Sequence, residues 1–305
     1  MKGEIMFLPP GVSETFAENS GWGFGYITSE EIGALVEPRL QDAHKGSYGH
    51  ALLVCGSKGM PGAAVLSTGA ALRSGCGLVT IHLPEAERFP VQANFPSALF
   101  SLDATDCFTE LPEDMERYTA VGVGCGLGRD RRSESALGRL LEWCGAHSIR
   151  MVIDADALNM LAGNPDMQRL VPAGAILTPH AGELRRLTGE WTSAEDMLYR
   201  ANDLAARLDC VVIAKGPNSA VCDRGRSIAF NSTGNSGMAK GGSGDVLTGF
   251  LTGLLARGYE PLAAATMGVF LHGAAGDKAA EYYGVEGMNS ADLIDFLAEA
   301  LKETE

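Results

Sequence analysis

From residue 51 onward, short apolar runs rich in β-branched residues alternate with longer stretches whose apolar positions recur at helical spacing. The short runs predict strands at Ala51–Cys55, Leu78–His82, Ala120–Val123, Met151–Ile153, Ala175–Leu177, Val211–Ala214 and Ser219–Cys222. The longer ones predict helices over Gly62–Ser74, Ser133–His147, Ala181–Leu187 and Ser193–Leu208, then Gly244–Ala256, Pro261–Tyr282 and a last one near Ser290–Leu301. Strands apolar on both faces and separated by helices predict an α/β fold: a central, mostly parallel sheet covered by helices on both faces. Residues 1–27 show no clear period and contain Pro9, Pro10 and several glycines, so they read as an N-terminal arm or loop. Residues 28–305 read as a single domain. It opens with a helix over Ile27–Leu40, with Ser29 as N-cap and Glu30 and Glu31 in the first turn.

Composition narrows the partners. With 46% apolar and 20% charged residues the chain can build a large core. A net charge of −14 argues against nucleic acid, which needs a basic footprint. It leaves room for a small anionic ligand, because backbone N–H groups at a helix N-terminus bind phosphate locally. The seven cysteines include no C-x-x-C pair, so neither a disulfide framework nor a zinc site is indicated, and reduced thiols in a cytoplasmic protein are expected. The first residues do not read as a signal peptide, and the apolar stretch Leu247–Gly258 is too short and too interrupted for a membrane span.

In open parallel sheets ligands bind beyond the carboxyl ends of the strands. At those ends this chain carries GSKGMPG, GCGLG, DADALN, TPHAGE and KGPNS. The densest signal comes later, in GMAKGGSGDVLTGFLTGLLA (Gly237–Ala256): Gly241, Gly242 and Gly244 surround Ser243, Asp245 follows, and a buried helix begins. Glycines let N–H groups converge and the helix start adds partial positive charge, which makes an anion hole. Asp245 in the first turn can serve there as a base toward an alcohol. The plain alternative is a tight turn with a helix-stabilising acid. Neither a P-loop nor a dinucleotide fingerprint is present. Gly124-Cys125-Gly126-Leu127-Gly128 reads as a plain turn or a ligand-facing loop. Asp154 and Asp156 could bind magnesium as a pair, but Asp156 reads better as a helix cap, with a polar role near the ligand left open for Asp154. His180 is either a ligand contact or structural, and Glu183 a cap partner. Lys215-Gly216-Pro217-Asn218-Ser219 is either a nucleotide-phosphate contact or a hairpin turn with a solvated lysine.

Taken together, the blocks HKGSYGHALLVCGSKGMPGAAVLSTGAALRSGCGLVTI (His44–Ile81), GCGLG, DADALNML (Asp154–Leu161), LTPHAGELRRLTG (Leu177–Gly189), AKGPNSAV (Ala214–Val221) and NSTGNSGMAKGGSGDVLTG (Asn231–Gly249) resemble the NAD(P)H-hydrate dehydratase family, from about Ser29 to the C-terminus. The wider superfamily is ribokinase-like. The resemblance implies dehydration of the S epimer of hydrated NADH or NADPH, driven by hydrolysis of ADP or ATP, with Mg2+ arriving with the nucleotide rather than in a protein-only cage. It implies hydrate contacts at Ala63, Gly126, His180 and Asp245. It implies nucleotide contacts at Lys215, Gly216, Pro217, Asn218, Ser219, Gly241 and Gly244, with Gly242, Ser243 and Gly244 steadying charge around the base Asp245. It implies a cytoplasmic homotetramer, and an epimerase activity supplied by another protein. One departure stands out: the family often has Gly-Pro-Gly-Leu-Gly where this chain has Cys125, which removes proline's rigidity from the loop. Two other readings compete. One is a vitamin-precursor kinase of the same superfamily, which would leave a stable phosphorylated product. The other is a non-catalytic nucleotide-binding protein, which could dispense with Asp245.

Overall fold

The apolar runs pair into a ten-stranded sheet in a computed structural model that describes residues 12–225 and 227–304. The strands are β1 (Gly23–Tyr26), β2 (His50–Val54), β3 (Leu78–Pro84), β4 (Leu99–Asp103), β5 (Ala120–Val123), β6 (Arg150–Ile153), β7 (Ile176–Leu177), β8 (Val211–Ala214), β9 (Ala220–Cys222) and β10 (Ser227–Phe230). Their spatial order is β1-β10-β9-β8-β7-β6-β5-β2-β3-β4. Neighbours run parallel except at β9, which is antiparallel to both β8 and β10. The chain leaves β2 outward through β3 to β4, returns to the other flank of β2 as β5, and continues outward to β8. Strand order therefore reverses between β2 and β5, which opens a crevice beyond their carboxyl ends.

The helices are α1 (Glu14–Ser20), α2 (Ser29–Leu35), α3 (Pro61–Arg73), α4 (Arg88–Asn94), α5 (Arg131–Ala146), α6 (Ala155–Gly163), α7 (Pro165–Gln168), α8 (Ala181–Thr188), α9 (Ala194–Leu208), α10 (Ser243–Arg257), α11 (Pro261–Tyr283) and α12 (Ser290–Lys302). They form a layer on each face, as the alternation of strand side chains demands. Ala51, Leu53 and Cys55 join the core under α3, α10, α11 and α12. Leu52 and Val54 join the core under α5, α6, α8 and α9. The central helix α10 is apolar nearly all round because it is covered nearly all round, by α3, α11 and α12 on one side and β2, β5 and β6 on the other. Its contact with α3 is backbone-close: a Cβ at Gly249 would lie 2.0 Å from the Ser67 carbonyl oxygen, and one at Gly253 2.0 Å from Ser74 Oγ.

Three expectations need correction. First, within the stretch read as an arm, residues 12–27 contribute α1 and the edge strand β1, which pairs with β10; residues 1–11 lie outside the described residues. Second, the helix expected over Ile27–Leu40 is α2, which stops at Leu35 because Pro38 disfavours helical backbone at Glu37. Third, its N-cap is Thr28, not Ser29. Thr28 Oγ1 accepts from Glu31 N at 3.3 Å and Glu31 Oε2 accepts from Thr28 N at 2.9 Å, a complete capping box. Among the described residues no helix is long and apolar enough to cross a membrane.

Candidate active site

The carboxyl ends of β5, β6 and β8 and the start of α10 meet at one point. Gly242 is the N-cap of α10, with φ 98°, a left-handed backbone that favours glycine; no side chain caps the helix there. The first-turn N–H groups of a helix have no acceptor within it, so Gly244 and Asp245 present donors to the crevice. The preceding loop is firmly held. Ser290 Oγ donates to Gly241 O at 2.7 Å, and Ser243 Oγ donates to Met238 O at 2.7 Å. On α11, His272 Nε2 donates to Ser243 O at 2.9 Å, and Asp277 accepts from Gly234 N at 2.8 Å and Asn235 Nδ2 at 3.0 Å. The Ser243 hydroxyl therefore serves the loop, and what Ser243 offers the crevice is backbone.

Lys215, directly after β8, brings the cation. Its Nζ donates to Asp154 Oδ1 at 2.8 Å, and a Cβ at Gly244 would lie only 3.4 Å from that nitrogen. Asp154 is fully engaged: Oδ1 also accepts from Ala155 N at 2.8 Å, and Oδ2 accepts from Thr248 Oγ1 at 2.8 Å. Burial works against the Lys215 charge, but Asp154 beside it and Glu183 nearby hold its pKa above the usual lysine value. The alternative of a solvated lysine is thus excluded, since its side chain is 21% exposed and its partner's 2%.

The cap read for Asp156 falls to Asp154, which also keeps the polar role left open for it, beside Lys215. Asp154 is the N-cap of α6, while Asp156 reaches back and accepts from Gly128 N at 2.8 Å, clamping the glycine loop after β5. The reason is the backbone between them: Ala155 sits at φ 48°, which turns the two carboxylates in different directions.

His180 caps α8. Its Nδ1 accepts from Gly182 N at 2.9 Å and Glu183 N at 3.3 Å, its Nε2 lies 3.3 Å from Glu183 Oε1, and Glu183 Oε2 accepts from His180 N at 2.8 Å. The capping reading of Glu183 holds, and the bridge between His180 and Lys215 sets this cap beside the cation. Glu183 is raised above the usual carboxylate range, chiefly by burial and against the pull of Lys215. Ala63 and Gly126 face each other, since a Cβ at Gly126 would lie 2.8 Å from Ala63 Cβ. The Lys215–Ser219 turn joins β8 to β9. Ser219 Oγ accepts from Gly216 N at 3.3 Å, and Asn218 Nδ2 donates to Asn231 O at 2.9 Å.

Asp245 lies in this constellation, half-buried. Its pKa is raised to about 6, first by burial and then by Asp154 and Asp156, with Cys125 and Lys215 pulling it down. A carboxylate that titrates there can accept a proton near neutral pH. Thr248 and His272 escaped the sequence reading. Thr248 follows Gly244 by one helical turn, and that spacing puts its hydroxyl on the Asp154 side. Nothing local in the sequence marks His272. A separate concavity of about 600 Å³ opens at the opposite edge of the sheet, but its Arg150 and Arg224 are neutralised by Glu260 and Asp209. Convergent donors and a raised carboxylate make the α10 edge the candidate site instead.

A family model for NAD(P)H-hydrate dehydratase matches residues 51–299, which include all of these groups. The chain belongs to that family. Among curated relatives, the bifunctional NAD(P)H-hydrate repair enzyme of Moorella thermoacetica is 37% identical over 318 residues, covering 100% of this chain and 59% of that protein. This dehydratase-family chain thus spans well under two thirds of that relative. The ADP-dependent (S)-NAD(P)H-hydrate dehydratase of Neisseria meningitidis is 37% identical, covering 81% of this chain and 82% of that protein. Among solved structures, the ADP/ATP-dependent NAD(P)H-hydrate dehydratase of Bacillus subtilis co-crystallised with ATP/Mg2+ superposes with a TM-score of 0.80 at 31% identity, covering 92% of this chain and 99% of that one. Ribokinase-like neighbours at lower identity, such as a protein from Enterococcus faecalis at 24% and TM-score 0.79, share the fold. The ribokinase-like α/β architecture expected from sequence is therefore the one found.

Proposed function

We propose that this chain dehydrates the S epimer of hydrated NADH or NADPH, restoring the reduced nicotinamide at the expense of ADP or ATP. The observation that carries the reading is Asp245, a carboxylate raised to about 6 and set in the first turn of α10 beside uncapped N–H donors and Lys215. In this scheme Asp245 takes the proton from the ring hydroxyl as that oxygen attacks the terminal phosphoryl group. The N–H groups at Gly242–Gly244 hold the charge that develops there. Phosphate then leaves from the ring carbon with the electrons of the C–O bond, pushed by the ring nitrogen's lone pair; loss of a proton from the adjacent ring carbon restores the ring double bond, and AMP or ADP is the other product.

The residues present fit a nucleotide phosphate. A Cβ at Gly244 would stand in ordinary contact with Lys215 Nζ at 3.4 Å and Asp154 Oδ2 at 3.6 Å, so the start of α10 lies directly beside the cation, where a phosphate could meet both. Gly241, Lys215, Gly216, Pro217, Asn218 and Ser219 would hold the nucleotide, and Ala63, Gly126 and His180 the hydrate. Magnesium would enter with the nucleotide and supply positive charge at the phosphoryl group. The buried free cysteines fit a reducing cytoplasm. A homotetramer belongs to the same reading and is checked by light scattering.

Purified protein, the S-epimer hydrate, magnesium and either ADP or ATP should regenerate reduced-nicotinamide absorbance and release free phosphate. A stable phosphorylated product without recovered absorbance would instead favour a vitamin-precursor kinase. The hydroxyethylthiazole kinase of Pyrococcus horikoshii, 19% identical with a TM-score of 0.58, shares the fold.

A further inference from the structure

Two N–H groups at the start of α10, those of Gly242 and Gly244, meet no acceptor among the described residues. The stretch from Gly241 to Gly244 has little side chain to stiffen it, so something else must fix where these donors point. What fixes them lies on the far side of their peptide planes. A trans peptide unit is planar, and its C=O points opposite to the N–H of the next residue. The Gly241 carbonyl is held from α12, where Ser290 Oγ donates to it at 2.7 Å. That bond turns the Gly242 N–H away from α12. The Ser243 carbonyl is held from α11, where His272 Nε2 donates to it at 2.9 Å. That bond turns the Gly244 N–H away from α11, at the residue whose Cβ would lie 3.4 Å from Lys215 Nζ.

We propose that Ser290 and His272 are positioning residues for the anion hole: by holding the Gly241 and Ser243 carbonyls they aim the Gly242 and Gly244 N–H groups into the crevice. This rests on the reading of the start of α10 as the phosphoryl site. Neither side chain touches the reacting atoms. Each acts through one peptide unit, so each governs one donor. Donors aimed in advance need not reorient as charge develops, which is what makes such a site effective. Both anchors are buried and rigidly mounted: His272 sits within the 23-residue α11, and Ser290 is the first residue of α12. Burial, with Lys215 adding to it and the bond to Ser243 opposing, holds His272 at about 4, so its ring is uncharged near neutral pH and carries one N–H. A carbonyl only accepts, which places that hydrogen on Nε2. The loop is closed from the same side by Lys240, whose Nζ donates to Glu286 O at 2.9 Å and to Met288 O, between α11 and α12.

The test pairs Ser290→Ala with His272→Leu, which each delete one anchor, and adds His272→Gln, whose amide nitrogen can replace Nε2 as the donor. The first readout needs no turnover: nitrogen-labelled protein is titrated with inorganic phosphate while the Gly242 and Gly244 amide resonances are followed by NMR. Both should shift in wild type. Ser290→Ala should lose the Gly242 response and keep that of Gly244, and His272→Leu should do the reverse. The second readout is dehydration at saturating nucleotide and magnesium. Each deletion should lower kcat about tenfold, with KM for the hydrate kept within about twofold, because a donor is misaimed rather than removed. His272→Gln should recover most of that loss. Two amides that respond alike in both deletion variants, or a lowered Tm with kcat unchanged, overturn the proposal, as does wild-type protein in which phosphate moves neither amide. Ser290→Ala decides alone should His272→Leu not fold. Should wild type fail to dehydrate the hydrate, the proposed function falls, while the phosphate titration still decides what the two anchors do.

Discussion

Three side chains decide the electrostatics of the crevice. Asp154, Lys215 and Thr248 come from a strand end, another strand end and a helix, and they lock together at 2.8 Å. A buried pair of this kind is costly to break from one side, because the remaining charge stays buried without a partner. Lys215→Met should destabilise the fold by about 3–5 kcal/mol, measured by urea unfolding, and adding Asp154→Asn should return part of that loss. Asp245→Asn has a different signature. Turnover should fall by roughly 10²–10⁴-fold while nucleotide affinity, measured by calorimetry, is kept, since the amide cannot take the proton yet leaves the helix start intact. With the wild-type carboxylate, activity should decline as pH drops through about 6, because Asp245 then binds the proton it must accept. At this scale the sequence was readable in placement, since Asp245 and the glycines around it do open a buried helix. It was not readable where a backbone angle allots roles. Asp154 and Asp156 are chemically identical and two positions apart, and only the left-handed Ala155 between them determines which one caps the helix.

Among the elements, α3 and α10 are bound most tightly to each other. Gly249 and Gly253 lie on one stripe of α10, and the α3 backbone and Ser74 occupy the space their side chains would fill. Gly249→Ala should push the helices apart and cost about 1–3 kcal/mol, read as a lowered Tm in calorimetry. Through α10 it should also displace Asp245, so kcat falls with stability. The strands around this pair were legible because they are buried on both faces and continuously apolar. The outer ones were not. β1 reads GFGY, two glycines and no β-branched residue, and β4 is an edge strand whose Leu99 and Leu102 are exposed. What holds the described N-terminal segment is long-range: Phe16, Trp22 and Phe24 pack with one another, and Phe16 and Trp22 meet Tyr199 of α9 at centroid distances of 5.2 and 4.6 Å. A local pattern cannot carry a contact that spans so much sequence.

Taken whole, the molecule encloses histidines where water cannot follow protons. His82 on β3 and His272 on α11 are held at about 4 against an ordinary 6.5, burial being the leading cause. The unfolded chain binds those protons below 6.5 and the folded chain does not until about 4, so stability present above 6.5 is lost as pH falls across that window. Each histidine contributes up to about 1.4 kcal/mol per pH unit. Unfolding free energies measured near neutral pH and near pH 5 should show this slope, and His82→Gln should flatten it. Topology at this scale also bears on how the protein is made. The helix at the centre of one face is encoded late in the chain, in residues 243–257, yet it covers β2, β5 and β6, which a ribosome completes far earlier. Until α10 emerges, Ala51, Leu53 and Ala120 lack their cover. The nascent protein is therefore a sheet with one greasy side open to every other chain in the cell. A fragment ending at Gly242 should bind an apolar dye and engage holdase chaperones, whereas the finished chain should do neither.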